Sequence, residues 1–322
     1  MEIRSRLSLS CFYRVFRNCK QWHKKHSCSL QNRHSHRQLS SESGDVDLEL
    51  SYTTYPDQEH SQVSTKKPLL FLHGLFGAKG NLHSVSKHLS NDGQKVVTYD
   101  ACNHGDSQHS PKIDYLSMAD DLDGLITDLS LKDPVVMGHS MGGKTAMTLA
   151  LTKPERLSAL IVVDITPSSS DTRELYKYAQ AMKNVQIPSG VSIIQARKNV
   201  EAQLSAVVTN RAVLQFLLTN LREFPSGELR WRMNLNAIIN NFDKITQFPD
   251  LSSKQFIKPT LFIFGANSPH YRSVQMDVIK SFFPQVQVTV IKEAAHFVHA
   301  DKPLEFVAAV KTFLSSIEEI AV

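Results

Sequence analysis

Short apolar segments alternate with longer amphipathic segments along most of this chain, from residue 66 onward. The apolar segments are rich in Val, Ile, Leu and Phe, which is typical of strands buried on both faces. Strands are predicted at 68–73, 95–99, 134–138 and 158–163, and helices between them at 82–89, 113–129 and 141–152. Because strands that alternate with helices form a parallel sheet with helices on both faces, the sequence predicts an α/β fold.

The alternation is interrupted between residue 168 and about residue 248, where helical segments follow one another without a comparable strand. It then resumes with strands at 260–264 and 287–291 and helices at 274–282 and 304–317. We therefore predict a mostly parallel sheet domain in two parts, 67–167 and 251–322, interrupted by a helical cap at 168–250. A linker with N-terminal strands is expected at 41–66.

The positive charge of the chain is concentrated at its N-terminus. The chain carries 36 Lys and Arg against 31 Asp and Glu, a net charge of +5, but residues 1–41 hold nine of these cations and one acid, Glu2. The remainder has 27 cations against 30 anions, a net charge of −3. The overall charge therefore does not indicate a nucleic-acid-binding surface. No segment approaches the roughly 20 apolar residues of a membrane-spanning helix.

Residues 1–40 are rich in Arg and Ser and poor in acids, which is the composition of a mitochondrial transit peptide. The sequence Arg-Gln-Leu-Ser at 37–40 resembles a matrix-processing site, so we predict a mature start near Ser40 and a location in the mitochondrial matrix. The mature chain would keep one cysteine, Cys102, which favours a reducing compartment. The alternative is a basic tail that binds acidic surfaces.

The sequence Gly-His-Ser-Met-Gly-Gly at 138–143 lies between a predicted strand and a predicted helix. This is the G-x-S-x-G motif in the strand–turn–helix context that a nucleophilic serine requires. The turn is so tight that side chains at the flanking positions would clash with the strand and the helix. The motif makes Ser140 the candidate nucleophile.

A second motif, His-Gly-Leu-Phe-Gly at 73–77, follows the first predicted strand. Backbone N–H groups of such a loop can stabilise the oxyanion of an acyl-transfer reaction. We expect the amides of Leu75 and Met141 to form the oxyanion hole, with Phe76 as the second candidate in the loop. His73 is interpreted as a residue that orients this loop, and the loop at 100–107 as structural support.

The candidate general base is His296, which comes directly after the last predicted strand. Serine is a weak nucleophile at neutral pH, so a histidine within hydrogen-bond reach is required. The order serine, then histidine near the C-terminus, is that of hydrolases with this motif. His299 is the alternative base. Neither these histidines nor His104 and His109 have partners at the spacing of a metal site, so no metal or cofactor is expected.

The acid that orients the base is the least defined part of the predicted site. The position after strand 260–264 holds Asn267, which cannot stabilise an imidazolium as a carboxylate does. We favour Asp164, because it ends the strand next to the serine turn at the carboxyl edge of the sheet, where sites of α/β proteins gather. A carboxylate that anchors the cap is the alternative role of Asp164. Asp243 and Asp301 are further candidates.

Together with Asn-His-Gly-Asp-Ser at 103–107 and the segment at 294–303, these motifs resemble the α/β-hydrolase superfamily, and in particular a mitochondrial branch described as diacylglycerol lipases. The resemblance implies hydrolysis of acyl esters, with diacylglycerol as substrate, in the mitochondrial matrix. It also implies a link to lipoylation of the 2-oxoglutarate dehydrogenase complex. The chain departs from the family pattern at Cys102, Ala295 and Asn236. At the position of Asn236, relatives carry an aspartate that is sometimes assigned as the acid.

The sequence is thus interpreted as a serine hydrolase that works through an acyl-enzyme. Hydrolysis of a thioester or of an acyl group on a protein uses the same step and stays open. A non-catalytic partner-binding protein of the matrix is the alternative from another class. Apolar residues of the cap could line an acyl pocket or form the cap's own core; they are Phe216, Leu217, Leu221, Trp231, Ile238, Ile239 and Phe242.

Overall fold

The apolar segments form the central strands of one sheet in a computed structural model, which describes residues 33–38, 47–56 and 66–319. The strands of this sheet are β1 (Arg33–Gln38), β2 (Asp47–Tyr55), β3 (Leu69–Leu72), β4 (Val96–Tyr99), β5 (Val135–His139), β6 (Ala159–Val163), β9 (Thr260–Gly265) and β10 (Val286–Ile291). Two short strands, β7 (Leu221–Glu223) and β8 (Leu229–Trp231), form a separate hairpin.

The sheet has eight strands in the order β1-β2-β4-β3-β5-β6-β9-β10. The pairs β1–β2 and β2–β4 are antiparallel, and all the others are parallel. Every residue of β3, β5 and β6 is buried, because helices cover both faces of these central strands. The predicted α/β class with a mostly parallel sheet is confirmed.

Alternate residues of the strands face two separate hydrophobic cores. Leu69 and Phe71 pack on one side and Leu70 and Leu72 on the other, as the two-residue period of a strand requires. The first side is covered by α1 (His83–Ser90) and α12 (Pro303–Glu319). The second side is covered by α2 (Tyr115–Asp128), α3 (Met141–Thr152) and α10 (Met276–Phe282). Two short helices, α9 (Pro269–Arg272) and α11 (Val298–Asp301), follow β9 and β10.

The segment between β6 and β9 contains the predicted cap. Its helices are α4 (Arg173–Asn184), α5 (Ile193–Leu204), α6 (Arg211–Leu218), α7 (Leu235–Asn240) and α8 (Phe242–Thr246). The hairpin β7–β8 lies between α6 and α7 and was not predicted, because each strand has only three residues, too few to show the period of a strand. Gly227 has φ of +79° in its turn, a conformation that favours glycine.

The predicted leader overlaps the described part of the chain in one place. Residues 1–32 lie outside the described residues, but β1 falls within the predicted transit peptide and pairs with β2 along its whole length. Cleavage near Ser40 would remove β1 and leave β2 as the edge strand of the sheet. Among the helices that the structure describes, none is long and apolar enough to cross a membrane.

A buried charge network joins strand β2, the loop at 100–107 after β4 and the inserted segment. Lys79 Nζ donates hydrogen bonds to Ser51 Oγ of β2 (2.9 Å) and to Asp100 Oδ2 after β4 (2.6 Å). Arg232, after β8, lies 2.8 Å from Asp106 Oδ1, and Lys79 Nζ also donates to Asp106 Oδ2 (3.2 Å). Because Lys79 and Asp100 are buried, neither can exchange its partner for water. The loop at 100–107 therefore has the supporting structural contacts expected from the sequence.

We expect Lys79→Met to reduce the free energy of unfolding by about 3–5 kcal/mol, because it leaves a buried carboxylate without its main cation. Urea unfolding followed by circular dichroism measures this loss. The control is Lys311→Met, which removes an exposed ion pair with Asp92 and should leave the unfolding midpoint nearly unchanged. Equal midpoints for the two variants would contradict the structural role of the network.

Candidate active site

Ser140 is the one residue between the end of β5 at His139 and the start of α3 at Met141. Its backbone has φ of 53° and ψ of −117°, a region that a residue with a side chain rarely adopts and that costs about 1–3 kcal/mol. Its N–H donates to Val163 O of the neighbouring strand β6 (3.0 Å), and its own carbonyl accepts from Lys144 N of α3 (3.0 Å). Sheet and helix thus hold Ser140 at the carboxyl edge of the sheet.

Two glycines allow the turn to be this tight. A Cβ atom on Gly138 would lie 2.1 Å from Gly142 O, and one on Gly142 would lie 2.5 Å from His73 O. Both distances are far below van der Waals contact, so no other residue fits at either position. The structure therefore confirms the expectation from the sequence that side chains at these two positions would clash with their surroundings.

The loop after β3 lies against the serine turn. A Cβ on Gly74 would be 3.1 Å from Ser140 Cβ, so Leu75, the next residue, stands close to the nucleophile. His73 Nε2 accepts the N–H of Ala101 (3.0 Å), so its Nδ1 carries the proton and donates to Gly74 O (2.8 Å). Burial lowers the pKa of His73, which keeps the ring neutral in this loop-orienting position.

Phe76 follows Leu75 with a φ of 61°, and its carbonyl accepts a hydrogen bond from the side-chain amide of Asn220 (2.9 Å). The inserted segment therefore fixes the loop in place. Met141 is buried at the first position of α3, directly after Ser140. Of the predicted oxyanion-hole residues, Met141 thus follows Ser140 directly and Leu75 follows Gly74, which contacts Ser140; their catalytic role stays a prediction.

His296 and Asp164 form a hydrogen-bonded pair, with 2.8 Å between Nδ1 and Oδ2. Asp164 is fully buried at the end of β6, with a φ of 53° that turns its carboxylate along the sheet edge. Its Oδ1 accepts the N–H of Gly265 (3.0 Å), and its Oδ2 also accepts the hydroxyl of Ser268 (2.5 Å). The carboxylate is therefore held from β9 as well as from His296.

His139 joins this pair to the serine turn. Its Nε2–H donates to the backbone carbonyl of His296 (2.8 Å), and the two rings lie 4.6 Å apart. Burial, with smaller contributions from the neighbouring His296 and His299, lowers the pKa of His139 well below its usual value, so the ring stays a neutral donor. The residue immediately before Ser140 thus fixes the loop that carries the candidate base.

The alternative candidates for the base and for the acid are not part of the His296–Asp164 pair. His299 is buried with its ring 4.8 Å from His139, and desolvation lowers its pKa to about 4. Asp301 Oδ2 accepts the N–H of Ala295 (2.8 Å), and burial raises its pKa. Asp243 is exposed in α8, and Asn267 is exposed after β9. Within the described residues, Asp164 is the carboxylate that hydrogen-bonds His296.

Two residues beside the pair were not identified from the sequence, Ser268 and His270. Ser268 is fully buried and both donates to Asp164 and accepts the N–H of His270 (3.2 Å). The ring of His270 lies 5.0 Å from that of His296, and desolvation lowers its pKa to about 4. The only signal in the sequence for these residues was that Ser268 precedes a proline shortly after β9. One atom each of Asp164, His270 and His296 could bind a common metal ion.

The inserted segment covers the loop that carries His296. The ring of Phe216 in α6 lies 5.1 Å from that of Phe297, the residue after the candidate base, in a tilted arrangement. Leu217, Leu221, Ile238 and Phe242 are buried in the core below, whereas Phe216, Trp231 and Ile239 are only partly buried. Of the residues named as a possible acyl pocket, the buried ones therefore belong to the core. Asn236 is exposed on α7, in a surface cleft with His109 and Asn240.

Residues 67–303 match a family model described as alpha/beta hydrolase fold. The chain belongs to this family of proteins. The match covers strands β3 to β10, the serine turn and the inserted segment, and it ends at the first residue of α12. The resemblance stated from the motifs is confirmed.

Similar proteins define the class more closely. An sn-1-specific diacylglycerol lipase ABHD11 from Danio rerio is 46% identical over 249 residues, which cover 77% of this chain and 78% of the relative. One of the same name from Mus musculus is 44% identical over 254 residues, 78% of this chain and 82% of the relative. A solved marine microorganism esterase has a TM-score of 0.73 at 31% identity and covers 83% of this chain and 99% of that one. The protein is a carboxylic ester hydrolase.

We expect Ser268→Ala to lower the free energy of unfolding by about 1.5–3 kcal/mol, because it removes a hydrogen bond to a buried carboxylate. It should also slow ester hydrolysis, since Asp164 loses one of the contacts that fix it. Urea unfolding and turnover of an ester measure the two effects. The matched control is Ser273→Ala at the end of the same short helix, where the hydroxyl is exposed. Equal effects of both variants would contradict the role of Ser268.

Proposed function

We propose that this protein hydrolyses acyl esters by a two-step mechanism with Ser140, His296 and Asp164. The observation that supports it best is the 2.8 Å pair of His296 Nδ1 and Asp164 Oδ2, tied through His139 to the strained serine turn. Ser140 Oγ attacks the ester carbonyl while His296 Nε2 takes the hydroxyl proton. The Asp164 carboxylate accepts the Nδ1–H of His296, so it stabilises the imidazolium as this forms.

The oxyanion of the tetrahedral intermediate is stabilised by the amides of Leu75 and Met141. Collapse of the intermediate breaks the ester C–O bond, and His296 gives its proton to the leaving alcohol. A water molecule then attacks the acyl-enzyme while His296 takes one of its protons, and His296 returns this proton to Ser140 Oγ as the fatty acid leaves. Every group returns to its starting protonation state, so the mechanism needs no cofactor.

The proposed substrate is diacylglycerol. Two relatives at 46% and 44% identity are named sn-1-specific diacylglycerol lipases, and their similarity extends over most of the chain. The aromatic pair Phe216 and Phe297 places an apolar wall next to the candidate base, which suits an acyl chain. Thioester and protein-acyl hydrolysis use the same acyl-enzyme step, so the substrate is tested against both.

The proposed location is the mitochondrial matrix, supported by the basic, Ser-rich composition of residues 1–40. In this proposal, cleavage near Ser40 removes β1 and exposes the edge of β2. The partnership with the 2-oxoglutarate dehydrogenase complex is supported by the resemblance alone, and the similar proteins add nothing to it.

Turnover of a substrate panel tests this function. We expect the purified chain to release fatty acid from diacylglycerol in detergent micelles faster than from acyl-coenzyme A thioesters or an acylated peptide. Ser140→Ala should lose activity on all three, because it removes the attacking oxygen. Preference for the thioester or the peptide would replace the proposed substrate. Full activity of Ser140→Ala would contradict the mechanism, and no activity of either protein would favour the non-catalytic alternative.

Replacing the three candidate acids one at a time identifies the residue that orients His296. We expect Asp164→Asn to lower kcat by about 10⁴-fold, as in the serine-protease case, because the amide favours the wrong imidazole tautomer. Asp243→Asn and Asp301→Asn are the controls, and each should retain most of the rate. Circular dichroism checks the fold of each variant. A loss with Asp301→Asn or Asp243→Asn but not with Asp164→Asn would contradict the assignment.

A further inference from the structure

Three side chains that bind transition metals converge at the candidate active site from three separate strand ends. Asp164 ends β6, His270 lies in α9 after β9, and His296 follows β10. One ligand atom from each lies within 4.8 Å of the other two. The proposed hydrolysis uses Asp164 and His296 but assigns nothing to His270. The position of His270 beside this pair therefore has no explanation in the proposed hydrolysis.

We propose that Asp164, His270 and His296 bind one Zn²⁺ ion reversibly, and that the bound ion stops hydrolysis. The inference rests on the proposed function, because inhibition requires His296 to be the base. Two imidazole nitrogens and one carboxylate oxygen are a donor set that Zn²⁺ takes in three-ligand sites, with a fourth position left for water. Asp164 is fully buried, whereas His270 and His296 are partly exposed, so solvent reaches the site from their side.

The geometry explains why the ion would bind at this site reversibly. Ligand atoms of a tetrahedral Zn²⁺ at about 2.0–2.1 Å stand roughly 3.3 Å apart. The Asp164–His296 pair at 2.8 Å is closer than this and must open slightly for the ion to enter. The resting state is therefore the hydrogen-bonded pair, and the ion must compete with it.

Binding of the metal changes the tautomer of His296. In the tautomer that the proposed hydrolysis requires, His296 carries its proton on Nδ1, 2.8 Å from Asp164 Oδ2. A Zn²⁺ ion on Nδ1 takes the lone pair of that nitrogen, so the proton moves to Nε2 and no proton is released from the ring. A protonated Nε2 is a donor and cannot accept the proton of Ser140. Hydrolysis stops at its first step until the ion leaves.

Binding is tested without relying on activity, in the full chain carrying Ser140→Ala. Isothermal titration with ZnCl₂ compares this protein with Ser140→Ala/His270→Gln and with Ser140→Ala/His88→Gln, whose lost histidine is exposed on α1. Cysteines and histidines of residues 1–40 can bind Zn²⁺ as well, so the difference between variants is the readout. We expect the His270 variant to lose one ion per chain and the His88 variant to retain it. Equal isotherms for all three would overturn the site.

Inhibition is measured in the chain that retains Ser140, with each variant compared with its own metal-free rate. We expect Zn²⁺ to inhibit the unaltered chain, EDTA to restore the rate, and His270→Gln to need much more Zn²⁺. Loss of an outer-shell partner alone costs about 10–100-fold in metal affinity, so loss of a direct ligand should cost at least as much. His270→Phe, which keeps a ring in place, should behave in the same way.

The two measurements separate the two proposals. Zn²⁺ that binds through His270 without inhibiting the unaltered chain would leave the site in place but overturn the inhibition and the role of His296 as base. Inhibition that is equally strong in His270→Gln and His270→Phe would place the ion elsewhere and overturn the site, while the hydrolase mechanism would stand.

Discussion

The backbone strain at Ser140 is the constraint on which the rest of the site depends. A residue with a side chain can adopt this backbone conformation only because Gly138 and Gly142 leave no side-chain atom in the way. Hydrogen bonds to the sheet and to α3 also hold the turn from both sides. The cost of a few kcal/mol at such a residue is covered by the buried strands and by α3 packed behind it. Although Ser140 stands at the N-terminus of α3, its side chain makes no capping hydrogen bond to that helix.

The remaining groups reach this edge because β6, β9 and β10 are neighbours and parallel. Their carboxyl ends supply Asp164, whose carboxylate is within hydrogen-bond distance of both Ser268 and His296, residues far from it along the chain. The network around Lys79 and Arg232 connects the loop at 100–107 to the inserted segment. Precise placement of these groups follows from sheet topology more than from any local sequence.

The sequence predicted those parts of the structure that local chemistry determines. Apolar runs located six strands within one or two residues, and the glycines around Ser140 identified the turn, because both signals lie in a few adjacent residues. The hairpin β7–β8 was missed because its strands have three residues each, and strand β1 was missed because it contains no apolar residue. Ser268, His139 and His270 were missed because their role comes from contacts across 104, 157 and 26 residues of chain, which only the folded sheet brings together. Asp164 was identified correctly as a neighbour of His296 by topology alone, from the position of its strand.

The central claim is that Ser140 is the nucleophile of an acyl-enzyme mechanism. The most direct measurement is reaction of the chain with a fluorophosphonate probe, followed by peptide mass spectrometry of the product. The account predicts one adduct per chain, located on Ser140, formed with loss of enzymatic activity. An adduct on another residue, or full activity with Ser140 modified, would contradict it.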